Sequence, residues 1–401
     1  MTARTLLVAA IALALSSIGH SQEGDLAGYA AFEPRLFFDK PAYQQNPKQG
    51  ISASAVISPE FRYTWSEDSN RITVIPFYRY DEDDKNRTHW DLREANWQYF
   101  DGPWTWLVGV GKVFWGVAES RHLVDIVNQT DLVEDIDQEE KLGQPMIHVE
   151  HWSESGSLGI FLLPGFRERT FPANDARLRG PLPIANNDAV YDSGAGDQRV
   201  DAALRWKTSI NNWDIGLSGF YGTGREPRFV PGVNTAGELI LTPHYDVISQ
   251  LGVDAQYTED AWLWKLEVIG RSGQGDDFGA VVAGVEYTFF DVQGSNADLG
   301  VLAEYLYDAR DETAPPTSLD DDIFLGLRFT LNDLDDTNIL AGAIVDPDDG
   351  ETVTLIEAQR RLGERWTLEL ELRMLSNIPD QGRLYGIEKD SYLTLRGSWY
   401  F

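Results

Sequence analysis

Residues 51–65 alternate in polarity with a period of two. Ile51, Ala53, Ala55, Ile57, Pro59, Phe61, Tyr63 and Trp65 fall on one face, and Ser52, Ser54, Val56, Ser58, Glu60, Arg62 and Thr64 on the other. Successive side chains of a strand point to opposite faces, so the pattern predicts a β-strand with one apolar side. Trp366, Leu368, Leu370, Leu372 and Met374 oppose Thr367, Glu369, Glu371 and Arg373 in the same way. Leu251, Val253, Ala255 and Tyr257 oppose Gly252, Asp254 and Gln256, and segments 281–289 and 200–207 repeat the alternation. Strands of soluble sheets average about 5–6 residues. These segments are longer, reaching the about 9–11 residues that cross a bilayer at a tilt.

Eighteen such segments are expected, near 28–38, 49–65, 71–80, 88–99, 104–114, 143–152, 157–169, 198–208, 213–222, 245–257, 261–271, 278–289, 298–308, 322–331, 337–346, 351–362, 366–375 and 390–401. Connections after the even segments are short turns, with 290–297 the longest. After odd segments several are long: 115–142, 170–197, 223–244, 309–321 and 376–389. Short turns at one end and long loops at the other predict an all-β, transmembrane, antiparallel up-and-down β-barrel. Its turns would be periplasmic and its loops extracellular. The count is sixteen if one segment has been divided in two. Backbone groups in lipid must be paired, so such a sheet has to close.

Tryptophan placement agrees. Trp65, Trp97, Trp104, Trp106, Trp152, Trp206, Trp213, Trp262, Trp264, Trp366 and Trp399 all lie near a predicted short turn or the C-terminus. Indole settles at membrane–water interfaces, so these residues apart from Trp152, with Phe401, are candidates for an aromatic girdle. Lys112 would share a face with Trp104, Trp106, Val108 and Val110. Either it lies beyond the hydrocarbon, or a bulge between Gly109 and Gly111 turns it inward.

The N-terminus reads as an address. Arg4 precedes an apolar run from Leu6 to Leu15 and a small-residue stretch ending at Ser21. Residues 1–21 are expected to be a cleaved signal peptide and 22–401 a single barrel domain. Composition narrows the rest. The 401-residue chain has 33 Lys+Arg against 64 Asp+Glu, a formal net charge of −31. That balance argues against nucleic acid as a partner, since phosphate backbones are bound by Lys and Arg. The absence of Cys excludes disulfides, thiolate metal sites and cysteine nucleophiles.

The polar faces supply the candidate pore lining: Glu60, Arg62, Arg205, Lys207, Lys265, Glu267, Arg328, Glu369, Glu371, Arg373 and Arg396. A barrel of about 16–18 strands leaves a water-filled lumen unless loops fill it. Segment 115–142 is the candidate constriction loop, with Glu119, Arg121, His122, Asp125, Asn128 and Asp131 as its polar positions. Ser120 is placed to cap a short helix whose apolar stripe is Leu123, Ile126 and Val127. Two placements stay open: folded inward against the barrel wall, or lying over the rim. Acidic runs at 81–84, 134–140, 276–277, 320–322 and 346–349 allow divalent cations at the outer loops, bridging to lipopolysaccharide. Solvated loops are the other reading, and no other cofactor is expected.

Two stretches resemble known groups. The final strand, with Leu393, Leu395, Gly397, Trp399 and Phe401 on one face, resembles the signal read by the barrel-assembly machinery of Gram-negative outer membranes. Gly111-Lys112-x-x-Trp115-Gly116, followed by Glu119 and Asp125-x-x-Asn128-x-x-Asp131, resembles alginate-export-type porins. Gln129 stands where that group often has proline. The resemblance implies an outer-membrane channel for passive diffusion or export of small hydrophilic solutes or ions. It does not carry alginate over as substrate. A non-conducting barrel plugged by its loops is the alternative, and the oligomeric state is left open. No enzyme is expected: His148 and His151 fall on opposite strand faces, and no metalloprotease or hydrolase motif occurs.

Overall fold

The computed structural model describes residues 23–43, 47, 50–380 and 382–401. The expected signal peptide lies outside the described residues. Twenty-one strands occur among them: β1 (Glu23–Phe37), β2 (Ile51–Trp65), β3 (Asn70–Asp81), β4 (His89–Asp101), β5 (Trp104–Gly111), β6 (Gln144–Ser153), β7 (Gly156–Pro164), β8 (Val190–Tyr191), β9 (Val200–Ile210), β10 (Trp213–Thr223), β11 (Arg228–Val233), β12 (Leu239–Tyr245), β13 (Val247–Glu259), β14 (Trp262–Ser272), β15 (Phe278–Phe289), β16 (Asp298–Asp308), β17 (Asp321–Thr330), β18 (Asn338–Val345), β19 (Thr352–Leu362), β20 (Trp366–Ser376) and β21 (Tyr392–Tyr400). Eighteen form one antiparallel sheet in chain order, and the last pairs with the first, Ala30 opposite Trp399 and Leu36 opposite Leu393. The sheet is therefore a closed cylinder, and the sixteen-strand count is set aside. No helix among the described residues is long and apolar enough to cross a membrane, which says nothing of crossing by strands.

The period-two pattern sets which face looks out. Along β13, Leu251 is 73% exposed and Val253 outward, while Ile248, Gln250 and Asp254 are buried inside. A cylinder that exposes leucine and buries aspartate has the reverse polarity of a soluble core. Trp65, Trp97, Trp104, Trp106, Trp206, Trp213, Trp262, Trp264, Trp366 and Trp399 face outward close to the short turns. Neighbouring rings touch, as in Trp262–Tyr287 at 4.6 Å and Trp399–Phe401 at 5.4 Å.

Some expectations need correction. The segments expected to reach 114 and 169 stop at Gly111 and Pro164. Lys112 thus falls just past β5, exposed, and the ladder with β4 needs no bulge there. The register shift is at Ile75/Pro76 in β3, where proline has no N–H for the ladder. The stretches 170–197 and 223–244 are not simple loops. β11 and β12 form a hairpin, and β8 adds to it in parallel.

Candidate functional site: the barrel interior and its inward loop

Residues 112–143 leave β5 and fold into the cylinder. No helix forms at Ser120. The backbone N–H groups that a helix would have satisfied go instead to two inward carboxylates of the wall. Glu267 on β14 accepts from Val117 at 2.8 Å, Ala118 at 3.0 Å and Val124 at 3.2 Å. Glu304 on β16 accepts from the N–H of Glu119 and of Ser120, both at 2.8 Å, and from Ser120 Oγ at 2.6 Å. Both carboxylates are buried, so each donor is matched away from bulk water. Gly116 makes the approach possible: its φ is +140°, and a Cβ there would lie 2.8 Å from Glu267 Oε1.

The Trp-Gly and Asp-x-x-Asn residues knit the loop to itself. Asn128 accepts from Val113 N–H at 3.0 Å and donates to the carbonyls of Gly111 and Leu142, at 2.9 and 2.8 Å. Asp125 accepts from Trp115 N–H at 3.3 Å and meets Lys141 at the same distance. Gln129, where proline was noted above, is buried; its amide donates to Arg167 O and its carbonyl accepts from Arg169.

One side of the loop packs on an apolar sector of the inner wall. Trp115, Leu123, Val124, Ile126 and Val127 are buried against Phe161, Leu163, Phe220, Ile248, Ile269, Val282, Leu306 and Phe324. The stripe expected on a helix does find an apolar surface, but as irregular chain. Its other end is held by arginines of the opposite wall. Arg93 meets Asp131 at 2.7 Å, Arg79 meets Glu134 at 2.6 Å, Arg35 meets Asp135 at 2.9 Å and Arg373 meets Asp137 at 2.9 Å. The loop therefore crosses the cylinder from one wall to the other.

Every expected pore-lining residue points inward, with differing surroundings. Glu60 pairs with Arg62. Arg205 is paired with Asp254 at 2.5 Å and Lys207 with Glu150 at 3.2 Å. Lys265 and Arg328 both hold Glu119 of the loop, at 3.3 and 2.6 Å. Arg373 binds Glu357 at 2.6 Å and Glu371 at 3.1 Å as well as Asp137. Arg396 meets Glu369 at 3.4 Å. In the loop, Arg121 pairs with Asp308 at 2.9 Å, and His122 sits 3.9 Å from Glu267. Sequence reasoning missed the role of Arg35, Arg79, Arg87 and Arg93. Arg35, Arg79 and Arg93 alternate inward with Glu33, Asp81 and Asp91, which was the available signal, and Arg87 sits in the turn between β3 and β4. His148 lies flat on Phe161 at 3.9 Å and His151 packs on Trp104 outside, so the two are apart as expected.

The loop leaves part of the interior uncovered, along β17–β20. The inward side chain of Glu357, halfway along β19, is 38% exposed, and that of Arg328, near the short-turn end of β17, is 36% exposed. Facing them, the loop presents Asp137, Glu139 and Glu140, with the Asp137 side chain only partly exposed. A cavity of about 160 Å³ lies beside this stretch, lined by Glu33, Arg79, Asp135, Glu369, Glu371 and Arg396 among others. Burial, then the neighbouring Asp135, push the Asp137 carboxyl up to about 7 against the pull of Arg373. Burial and Glu357 raise that of Glu139 as well.

No family model matches this chain, and no curated protein matches it. Among solved structures it is similar to OmpT, an outer membrane protein of Vibrio cholerae, at 11% identity and a TM-score of 0.48, covering 95% of this chain and 100% of that one. A mutant of Rh. blastica porin aligns at 12% identity and a TM-score of 0.46, covering 94% of this chain and 100% of that one.

Proposed function

We propose that this chain is a porin-like channel of the Gram-negative outer membrane, through which small hydrophilic solutes or ions diffuse past an inward-folded constriction loop. The observation that carries this reading is the wet sector inside the cylinder. Inward charged side chains, Glu357 at mid-strand and Arg328 nearer the short turns, keep over a third of their surface accessible while Leu251 and its neighbours face outward. A barrel plugged by its loops would bury those charges. The inner histidines pack on rings or pair with carboxylates, a setting for structure rather than for catalysis.

The charge layout supports cation preference. Arg205, Lys207, Arg328 and Arg373 each already pair with one or more carboxylates. Residues 115–142 of the loop carry eight Asp and Glu against Arg121 and Lys141. Fixed carboxylates in a narrow, low-dielectric passage attract counter-ions and repel anions. A polyanion such as alginate fits this aperture poorly. The closing strand β21 is the proposed contact for the barrel-assembly machinery, and lipid the proposed neighbour of the outer wall.

Planar-bilayer recording of refolded protein tests the proposal. Stepwise conductance with a reversal potential favouring the cation in a salt gradient is expected. Absence of steps would favour the plugged barrel, and clear anion preference would refute the selectivity.

A further inference from the structure

Among the described residues, three clusters of carboxylate and histidine groups each bring their ligand atoms within 4.8 Å of one another: His89, Asp131 and Glu134; Asp192, His244 and Asp246; Asp135, Asp137 and Glu371. Each already holds arginine. Arg93 and Arg79 serve the first, Arg228 the second, and Arg35 and Arg373 the third. Their charge is met from within the protein, and a cation would have to displace it.

The outer rim of β17–β19 is different. Ile323 pairs with Val345, so one step further Asp322 stands opposite Asp346. Val345 pairs with Thr352, and Asp346 N–H donates to Glu351 O at 2.9 Å, so Glu351 stands on the other side of Asp346. Directly opposed residues share a face and lie about 4.5–5.5 Å apart at Cβ. Asp322, Asp346 and Glu351 therefore form one row across three strands, on the inward face with Phe324. Like charges so placed repel.

No positive side chain among the described residues relieves that repulsion. Among the described residues no Lys, Arg or His pairs with Asp320, Asp322, Asp346, Asp349 or Glu351. Asp322 is only 3% exposed, and its Oδ2 is buried without a hydrogen-bond partner. An unpaired buried carboxylate oxygen among carboxylates lacks a cation.

We infer that Asp322, Asp346 and Glu351 bind a hard divalent cation of the calcium type at the outer mouth, fastening β17, β18 and β19 together. The oxygen-only donor set suits calcium, which takes 6–8 oxygen ligands and accepts water and carbonyls for the remainder. The three carboxylates do not close to within 4.8 Å as they stand, consistent with mutual repulsion, and a cation would draw them in. The location has a use. β17–β19 border the sector that the inward loop leaves uncovered, and side chains along β18 are only partly buried. A staple at the rim would stiffen the least supported part of the wall. The inference holds whether or not the barrel conducts.

The test is equilibrium dialysis of the refolded full-length chain with calcium chloride alone, in about 0.15 M potassium chloride to screen diffuse attraction. One saturable site is expected, with a Kd of about 10⁻⁴–10⁻³ M, the range of extracellular calcium modules. Asp322→Asn and, separately, Asp346→Asn should each weaken it at least tenfold. Heat-modifiable gel mobility shows that each variant is folded. Asp276→Asn with Asp277→Asn, in another acidic loop, should leave it unchanged. Absence of a saturable site, equal loss in the control, or full binding by both single variants would overturn the inference.

Discussion

Replacing Glu267 with alanine should free the tip of the inward loop. Its carboxylate is fully buried and accepts three backbone N–H groups, those of Val117, Ala118 and Val124. Hydrogen bonds to a charged group each contribute about 1.5–3 kcal/mol, and a buried donor left unpaired costs about 1–3 kcal/mol. Three donors lose their acceptor, though partial relaxation and non-additivity reduce the sum. A loss of about 3–6 kcal/mol for the wall-bound tip is the working figure. At about 1.4 kcal/mol per tenfold change, the detached fraction rises roughly 10²–10⁴-fold. Glu304 still holds Glu119 and Ser120, so the tip should flicker rather than leave. Two assays follow this. Limited trypsin digestion should cut faster at Arg121, and single-channel current should become noisier, with larger openings. Glu267→Gln keeps the shape and one acceptor and should fall between. Unchanged digestion and unchanged current noise in Glu267→Ala would refute the anchoring role.

Other outcomes follow from the same geometry. Arg79→Met leaves buried Glu134 without its arginine, while Glu33 keeps Arg87, and should cost about 3–5 kcal/mol, read as a lower temperature of heat-modified gel mobility. Trp115→Ala empties a site packed on Phe161 at 5.5 Å and should cost about 3–5 kcal/mol, read the same way. Asp137, with its carboxyl near 7, is mostly charged at pH 8 and mostly neutral at pH 6. Cation-over-anion permeability should therefore fall as pH drops across that window, and Asp137→Asn should flatten the change. The folded state favours the neutral carboxyl, so this group weakens loop docking above about pH 7 and relieves it below.

The cylinder was legible because an apolar outer face and a largely polar inner face repeat the same period in strand after strand, β2 and β20 among them. Segment ends were less so, since alternation carries on past the last paired residue, as at Val113 and Phe166. The inward seat of the loop was only half legible. Leu123, Ile126 and Val127 announced an apolar stripe, but not its conformation, because the competing acceptors Glu267 and Glu304 are about 150 and 185 residues away. The apolar inner sector was hidden for a related reason. Ile269, Val282 and Leu306 sit in strands whose outward faces are apolar too, and both-sided hydrophobicity marks a wall with protein on its inside. Arg79 and Arg93 gave no hint of their partners until the register brought them to the acids of the loop.

The central claim is a cylinder with hydrocarbon outside and water within, and the lack of native cysteine allows a direct test. Single substitutions Leu251→Cys, outward, and Glu357→Cys, inward, would be treated with a charged, membrane-impermeant thiol reagent in lipid vesicles. Rapid modification at 357 with none at 251 is the expected result. Protection at 357 with ready modification at 251 would contradict the account.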